Sequence, residues 1–146
     1  MDRIKIPFVV TREERAEIKQ AYQATVECAG EEHLQYISST LPAVLKRLNK
    51  ADEDWLVSMA IVANQLASLI ETDSAVPNSA RRQIVGALYY LCDPFEVIPD
   101  YVPGRGYADD ALVLNTCLSE LRQCGVALTF FASTQAHEET NLARAR

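Results

Sequence analysis

The stretch from Ile84 to Cys92 constrains the fold more than any other part of the chain. It reads IVGALYYLC and is apolar on every side when drawn as a helix. A helix that is apolar all round is stable only when other elements cover it completely. The sequence therefore predicts a helix at the centre of a bundle. This helix begins at a Ser79 N-cap and ends before Asp93 and Pro94, because the residue before a proline disfavours helical geometry.

Amphipathic helical patterns precede this central segment. Thr11 and Glu14 have the spacing of a capping box, which predicts a helix over residues 12–29. Apolar residues then recur at steps of three and four from Leu34 to Leu48. Pro42 lies inside that pattern, so the stretch predicts either one kinked helix or two shorter ones.

A third helix before the central one and a long helix after it complete the pattern. Asp52 can cap the helix before the central one, which carries a stripe of apolar residues that we expect to be buried. The helix after the central one runs from Tyr107 until Gly125 ends or bends it. The stripe consists of Trp55, Met59, Val62, Leu66 and Leu69.

The overall pattern predicts an all-α protein. No run alternates apolar and polar residues for long enough to indicate a strand, and 146 residues is the length of one domain. We expect a single compact helical bundle of about five to six helices over residues 1–146. A Pro/Gly/Asp-rich loop separates the last two long helices, and the polar tail at 133–146 is expected to fray.

Charge and cysteine usage exclude several classes of function. The chain has 14 Lys and Arg against 20 Asp and Glu, a formal net charge of −6, which argues against nucleic-acid and acidic-membrane partners. The first ten residues contain no export signal and no apolar run approaches a membrane span, so we expect a cytoplasmic protein. The four cysteines form no CxxC pair and are expected to be free thiols. Cys117 and Cys124 are predicted to pack on one helix face as small apolar side chains.

Five carboxylates cluster around the loop that precedes the last long helix. Such a cluster near a core is costly unless the charges are exposed, paired or bound to a cation, and oxygen ligands suit Mg²⁺, Mn²⁺ or Ca²⁺. Arg81 and Arg82 lie in the first turn of the central helix, where the dipole disfavours cations, which favours pairing with these acids. A structural network, a metal site and a partner-binding surface all remain open. The five residues are Asp93, Glu96, Asp100, Asp109 and Asp110.

One stretch of the chain resembles the bacterial YkvA-like family of domains of unknown function. The resemblance rests on Val76-Pro77, on Arg82 and on ALYYLCDPFEVIPDYVPGRGYADDALVL at 87–114, which contains the family's Pro-x-Asp-x-Ile-Pro-Asp and Gly-Tyr-x-Asp-Asp patterns with Glu96 in place of an Asp. It implies a small helical domain, here residues 76–125, without an established activity, while residues 11–73 carry no resemblance. The structural motif residues are Arg81, Arg82, Tyr90, Pro94, Pro99, Gly106 and Tyr107.

The sequence contains no catalytic motif on which to build an enzyme mechanism. It lacks a GxSxG elbow, an HExxH pair and the Lys-Ser/Thr of a phosphate loop. We therefore expect a non-enzymatic protein that binds another protein, such as an inhibitor or immunity-type protein for a basic partner. The alternative is a divalent-metal-dependent hydrolase that uses the carboxylates from Asp93 to Asp110. That divalent cation is the one cofactor the sequence suggests.

Overall fold

A computed structural model describes residues 3–72, 76–92 and 107–126 of the chain. Within these ranges the chain forms five α-helices and no strand. They are α1 (Arg12–Cys28), α2 (Glu31–Asn49), α3 (Asp54–Thr72), α4 (Asn78–Cys92) and α5 (Ala108–Gln123). The predicted all-α bundle is thereby confirmed. The predicted loop at 93–106 and the predicted frayed tail at 133–146 lie outside the described residues.

Helix α4 is the centre of the bundle, as its apolar sequence predicts. It contacts each of the other four described helices. Its residues from Ile84 to Leu88 are all buried, and they join a core that includes Met59, Leu66 and Leu114. The apolar surface of this part of α4 is thus shielded from water on every side.

Gly86 permits a close approach of α1 to α4. A Cβ atom at Gly86 would lie 2.7 Å from Cγ2 of Val26 and 3.2 Å from its Cα. Any larger side chain at position 86 would therefore push α1 away from α4.

The helix starts agree only in part with the predicted caps. Thr11 Oγ1 accepts the Glu14 N–H at 3.1 Å and Glu14 Oε1 accepts the Thr11 N–H at 3.0 Å, so the capping box is confirmed. The other two predicted caps are wrong. Helix α3 begins after Glu53 rather than after Asp52, and α4 begins after Pro77, whose carbonyl accepts the Arg81 N–H, so that Ser79 lies within the helix.

Helix α2 continues through Pro42 as one helix. Its buried residues Ile37 and Leu41 precede the proline, while Val44 and Leu48 follow it. A proline inside a helix costs about 3 kcal/mol. Burial of apolar side chains on both sides outweighs that cost, which decides between the two predicted possibilities.

Helix α5 ends in a Schellman motif at Gly125. This glycine has a φ of 79°, the Gly125 N–H donates to Arg122 O, and the Val126 N–H donates to Leu121 O at 3.0 Å. Because the helix ends at Gln123, Cys124 is exposed while Cys117 is buried. The predicted packing is thus correct for Cys117 and wrong for Cys124.

The N-terminal segment at 3–10 packs against α5, an association that the sequence pattern does not reveal. The Ile4 N–H donates to Asn115 Oδ1 at 2.7 Å, and Asn115 Nδ2 donates to Ile4 O at 2.9 Å. Ile4 and Val10 are buried in the core, and Phe8 packs edge-on against Trp55. This segment therefore extends the bundle core beyond the five helices.

No helix in the described part of the chain has the length and apolar character needed to cross a membrane.

Candidate functional site

Two of the five predicted site carboxylates, Asp109 and Asp110, are buried in the first turn of α5. Their exposed fractions are 0% and 1%. Asp109 Oδ1 accepts the Asp110 N–H at 3.0 Å, and Asp109 Oδ2 accepts the hydroxyl of Tyr90 at 3.2 Å. A carboxylate in this turn also faces the positive end of the helix dipole. Asp109 therefore links the start of α5 to α4.

The buried thiol of Cys92 lies within electrostatic range of Asp110. Burial and, to a smaller extent, the nearby Asp110 carboxylate raise the pKa of Cys92 to about 12, and Arg47 opposes both effects. Charged residues of α2 and α5 thus both influence the thiol at the end of α4. Cys92 is protonated at neutral pH and is not an activated nucleophile.

The other three predicted ligands belong to the stretch of sequence before α5. Asp93, Glu96 and Asp100 lie outside the described residues, as do the motif residues Pro94, Pro99 and Gly106. Tyr107 is half-buried and directly precedes α5. In the ranges that the structure describes, no group of three or more His, Cys, Asp or Glu side chains could hold a metal ion.

Arg81 and Arg82 bond to the ends of two other helices. Arg81 Nη1 donates to Ile70 O near the end of α3 at 3.1 Å, and Arg82 Nη2 donates to Glu27 O near the end of α1 at 2.6 Å. Cations are favourable at helix C-termini, where main-chain carbonyls lack helical partners. Their described partners are therefore carbonyl groups, whereas the sequence analysis expected carboxylates.

A second buried polar cluster joins α1, α4 and α5. The Tyr22 hydroxyl lies 2.6 Å from Gln83 Oε1 and 3.0 Å from Gln83 O, and it shares a hydrogen bond with Cys117. Burial raises the pKa of Tyr22 far above its ordinary value and raises that of Cys117 to about 12. Tyr22, Gln83 and Cys117 lie on three different helices and are far apart in the sequence, so no local pattern indicates that they meet.

A groove of about 440 Å³ lies between α2 and α3. Its α2 wall carries the stripe Leu34, Ile37, Leu41 and Leu45, which follows the helical spacing of one face. Ala67 and Ile70 line its α3 wall, and Glu71 and Arg81 also line the groove. Pro42 lies in the same lining, so the position that the sequence analysis identified as a break borders this groove.

One exposed apolar residue of α3 lies near the groove. Ile61 is 42% exposed and lies three residues before Asn64, which lines the groove. Positions 61, 64 and 68 share one helix face because they are three and four residues apart. Leu34, Leu45 and Ile70 are half-buried and Ile61 is exposed, whereas Ile37 and Leu41 are buried at the base of the groove. The face formed by α2 and α3 therefore presents partly exposed apolar side chains at several positions.

The fold and these features define a small all-α bundle with buried polar clusters and an apolar groove. Residues 80–115 match the model of a family described as a protein of unknown function, DUF1232. The match covers α4 from Ala80 onward and the first half of α5, so it includes Tyr90, Asp109 and Asp110. This part of the chain is thus similar to a domain of unknown function. No curated protein and no solved structure matches the chain.

Proposed function

We propose that this protein acts by binding another protein through the groove between α2 and α3, without catalysing a reaction. The observation that carries the proposal is the set of half-buried apolar side chains that line the groove, Leu34, Leu45 and Ile70, together with the exposed Ile61 near it on α3. Partly exposed apolar side chains at helical spacing on two neighbouring helices suit an amphipathic helix of a partner.

The charge of the surface favours a basic partner. Glu71 lines one end of the groove, and Glu31 and Glu32 are exposed at the start of α2. The end of α3 lies near the start of α2, since Ile70 and Leu34 line the same groove. Arg81 also lines the groove near this end, so three glutamates there stand against one arginine. A partner helix with Lys or Arg near this end would be attracted there, consistent with the protein's net charge of −6.

The buried carboxylates give no surface to such a partner. Asp109 and Asp110 are both enclosed, so the acidic docking surface that the sequence suggested near this loop is not formed by them. The exposed acids of α2 and α3 are better placed. A role as an inhibitor or immunity-type protein, which covers a basic surface of its partner, is the specific form of the proposal.

We further propose that residues 76–125 form a YkvA-like domain. The family match at 80–115 supports a domain of unknown function in this region. The finer assignment rests on the sequence patterns around Tyr90, Tyr107 and the Asp109-Asp110 pair. In this proposal the domain supplies the bundle centre, and α2 and α3 supply the binding face.

The test is capture of a partner from native lysate by matched variants. Ile61→Asp places a charge on the proposed face, whereas Val9→Asp makes the same change at a position that is 86% exposed outside the groove. We expect wild type and Val9→Asp to capture the same protein, in a salt-dependent manner, and Ile61→Asp to lose it. Equal capture by all three proteins, or no protein captured by wild type, would contradict the proposal.

Calorimetric titration with Mg²⁺, Mn²⁺ and Ca²⁺ tests the alternative of a metal-dependent hydrolase. If the protein is not a metal-dependent enzyme, we expect no metal binding that is lost in Asp109→Asn or in Asp100→Asn. Saturable binding lost in both variants would instead favour the metal site. Wild type and the Ile61→Asp variant should give the same metal titration, because Ile61→Asp is designed to affect only partner capture.

A further inference from the structure

A cleft of about 580 Å³ lies between the N-terminal segment and α5. Four cationic side chains line it, Arg3, Lys5, Arg15 and Arg122, together with one acidic side chain, Glu120. The chain as a whole has a formal net charge of −6. The cleft is therefore locally basic, although the chain as a whole is acidic.

The walls of this cleft are held by specific contacts. The main chain of Ile4 is bonded at both its polar groups to Asn115, and the Ile4 side chain is 1% exposed. Arg15 Nε donates to Val10 O at 3.3 Å, which orients the guanidinium group at the edge of the cleft. Arg3 and Lys5 are thus carried by a segment that is fixed to the bundle, while Arg15 and Arg122 belong to α1 and α5 themselves. The volume lies in the range of about 300–1,000 Å³ that is usual for small-molecule sites.

The lining combines two kinds of surface. Asn115, Thr116 and Ser119 contribute polar groups, while Ile6, Phe8 and Leu112 contribute apolar ones. Guanidinium groups match phosphate oxygens with two parallel hydrogen bonds, and an ammonium group adds a point charge. Apolar side chains beside such groups suit a ligand with a flat or aliphatic portion.

We infer that this cleft binds a small phosphate-bearing polyanion with an apolar portion, whose phosphates lie among Arg3, Lys5 and Arg15. The apolar portion lies along Phe8 and Leu112. Glu120 weakens the attraction for a simple anion and can accept a hydrogen bond from a ligand hydroxyl group. This inference concerns a surface separate from the groove between α2 and α3 and does not depend on it.

The negative net charge of the protein favours a small ligand over a long polyanion. A long polyanion such as a nucleic acid would meet the field of the whole acidic protein. A small ligand inside the cleft is affected mainly by the nearby cations, because salt screens more distant charges beyond about 8–10 Å. Binding at physiological ionic strength therefore depends on the residues of the cleft.

Calorimetric titration of the full chain tests this inference with ATP, tripolyphosphate and adenosine as probes. We expect saturable binding of ATP at one site, weaker binding of tripolyphosphate and no saturable binding of adenosine. Failure of ATP to bind would overturn the inference. Tripolyphosphate binding as tightly as ATP would overturn the role assigned to Phe8 and Leu112.

Charge-neutralising variants locate the site. Lys5→Gln and Arg15→Gln are each expected to weaken ATP binding by about tenfold or more, because each loses a charge-assisted contact. Lys5 is exposed, so its variant is informative even if Arg15→Gln fails to fold. Lys46→Gln removes the same charge from α2 and should leave affinity unchanged. An equal effect in Lys46→Gln, or wild-type affinity in Lys5→Gln and Arg15→Gln, would contradict the assignment.

This experiment is independent of the proposed partner groove. Ile61→Asp, which is designed to abolish partner capture, should bind ATP as the wild type does. Loss of ATP binding in Lys5→Gln with partner capture retained would show two separate surfaces.

Discussion

The side-chain amide of Asn115 bonds to both main-chain polar groups of Ile4, with distances of 2.7 Å and 2.9 Å. These two residues are 111 positions apart in the sequence. The amide thus pairs with the N-terminal segment in the way that a neighbouring strand would, by offering one acceptor and one donor. This side chain of α5 therefore helps to hold the N-terminal segment against the bundle, together with the burial of Ile4 and Val10.

Asn115→Ala should release the N-terminal segment. The variant leaves the N–H and the carbonyl of Ile4 without this partner, so we expect the free energy of unfolding to fall by about 1–3 kcal/mol. Amide hydrogen exchange at Ile4 should accelerate, which identifies the affected segment. Thr116→Ala is the control, since the Thr116 hydroxyl bonds to Leu112 O within the same helix. Unchanged exchange at Ile4 in Asn115→Ala would refute the prediction.

The hydrogen bond between Tyr90 and Asp109 should appear as a coupling energy. Tyr90→Phe and Asp109→Asn each alter a buried pair, so we expect each to lower the free energy of unfolding by about 1–3 kcal/mol. In the double variant the two effects should combine non-additively, with a coupling of about 0.5–3 kcal/mol. Urea unfolding of the four proteins measures this cycle. Simple additivity would show that the bond contributes nothing to stability.

Gly86→Ala should destabilise the bundle despite the higher helix propensity of alanine. The added Cβ would lie 2.7 Å from Cγ2 of Val26, and relief of this contact requires α1 to move. We expect a loss of about 1–3 kcal/mol, against a gain of about 1 kcal/mol from propensity. Thermal unfolding measures the balance. Gly30→Ala, whose added Cβ would have its nearest contact at 3.9 Å, provides the steric control.

Thiol labelling should divide the four cysteines into two pairs. Cys28 and Cys124 are exposed, while Cys92 and Cys117 are buried with pKa values raised to about 12 by burial. Near neutral pH, we expect iodoacetamide to modify only the exposed pair in the folded protein, because the thiolate is the reactive form. Mass spectrometry of tryptic peptides checks the sites. All four should react in denaturing guanidinium.

Stability should fall as the solution becomes strongly alkaline. The ordinary pKa of a cysteine is about 9, and burial raises the pKa of Cys92 and Cys117 to about 12. Between these values the folded state binds more protons than the unfolded state, so the contribution is complete below about pH 9 and is lost as pH rises toward about 12. Burial also raises the pKa of Tyr22, so this residue likewise lowers the stability at high pH.

Variants of single cysteines isolate this effect. We expect the decrease in unfolding free energy between about pH 8 and about pH 11 to be smaller in Cys117→Ala than in wild type. Cys124→Ala removes an exposed thiol and should retain the full decrease. Denaturant titrations at the two pH values measure both. An identical decrease in all three proteins would contradict the assignment to Cys117.

Helical periodicity was sufficient to predict most of the architecture. The all-round apolar segment from Ile84 correctly indicated the central helix, and Thr11 with Glu14 correctly indicated the start of α1. These features depend on neighbours in sequence, so a single chain displays them directly. The continuity of α2 through Pro42 could not be decided in this way, because it depends on what covers the helix on both sides.

The candidate sites were less predictable because their partners are distant or carry no sequence signal. Arg81 and Arg82 bond to main-chain carbonyls, and every residue type has a carbonyl, so no pattern marks the acceptor. Burial of Asp109 requires the Tyr90 hydroxyl and the end of α4 to meet it. The cleft between the N-terminal segment and α5 likewise joins the two ends of the described chain.

The central position of α4 has a consequence for synthesis on the ribosome. Helices α1 and α2 both pack against α4, which follows them in the chain, so their apolar faces emerge before the surface that covers them. At a synthesis rate of about 5–20 residues per second, Ile18 and Leu41 remain accessible to chaperones for a period on the order of seconds. During synthesis, the apolar faces of α1 and α2 are therefore exposed for a time and prone to aggregation. Only the arrival of α4 ends that stage.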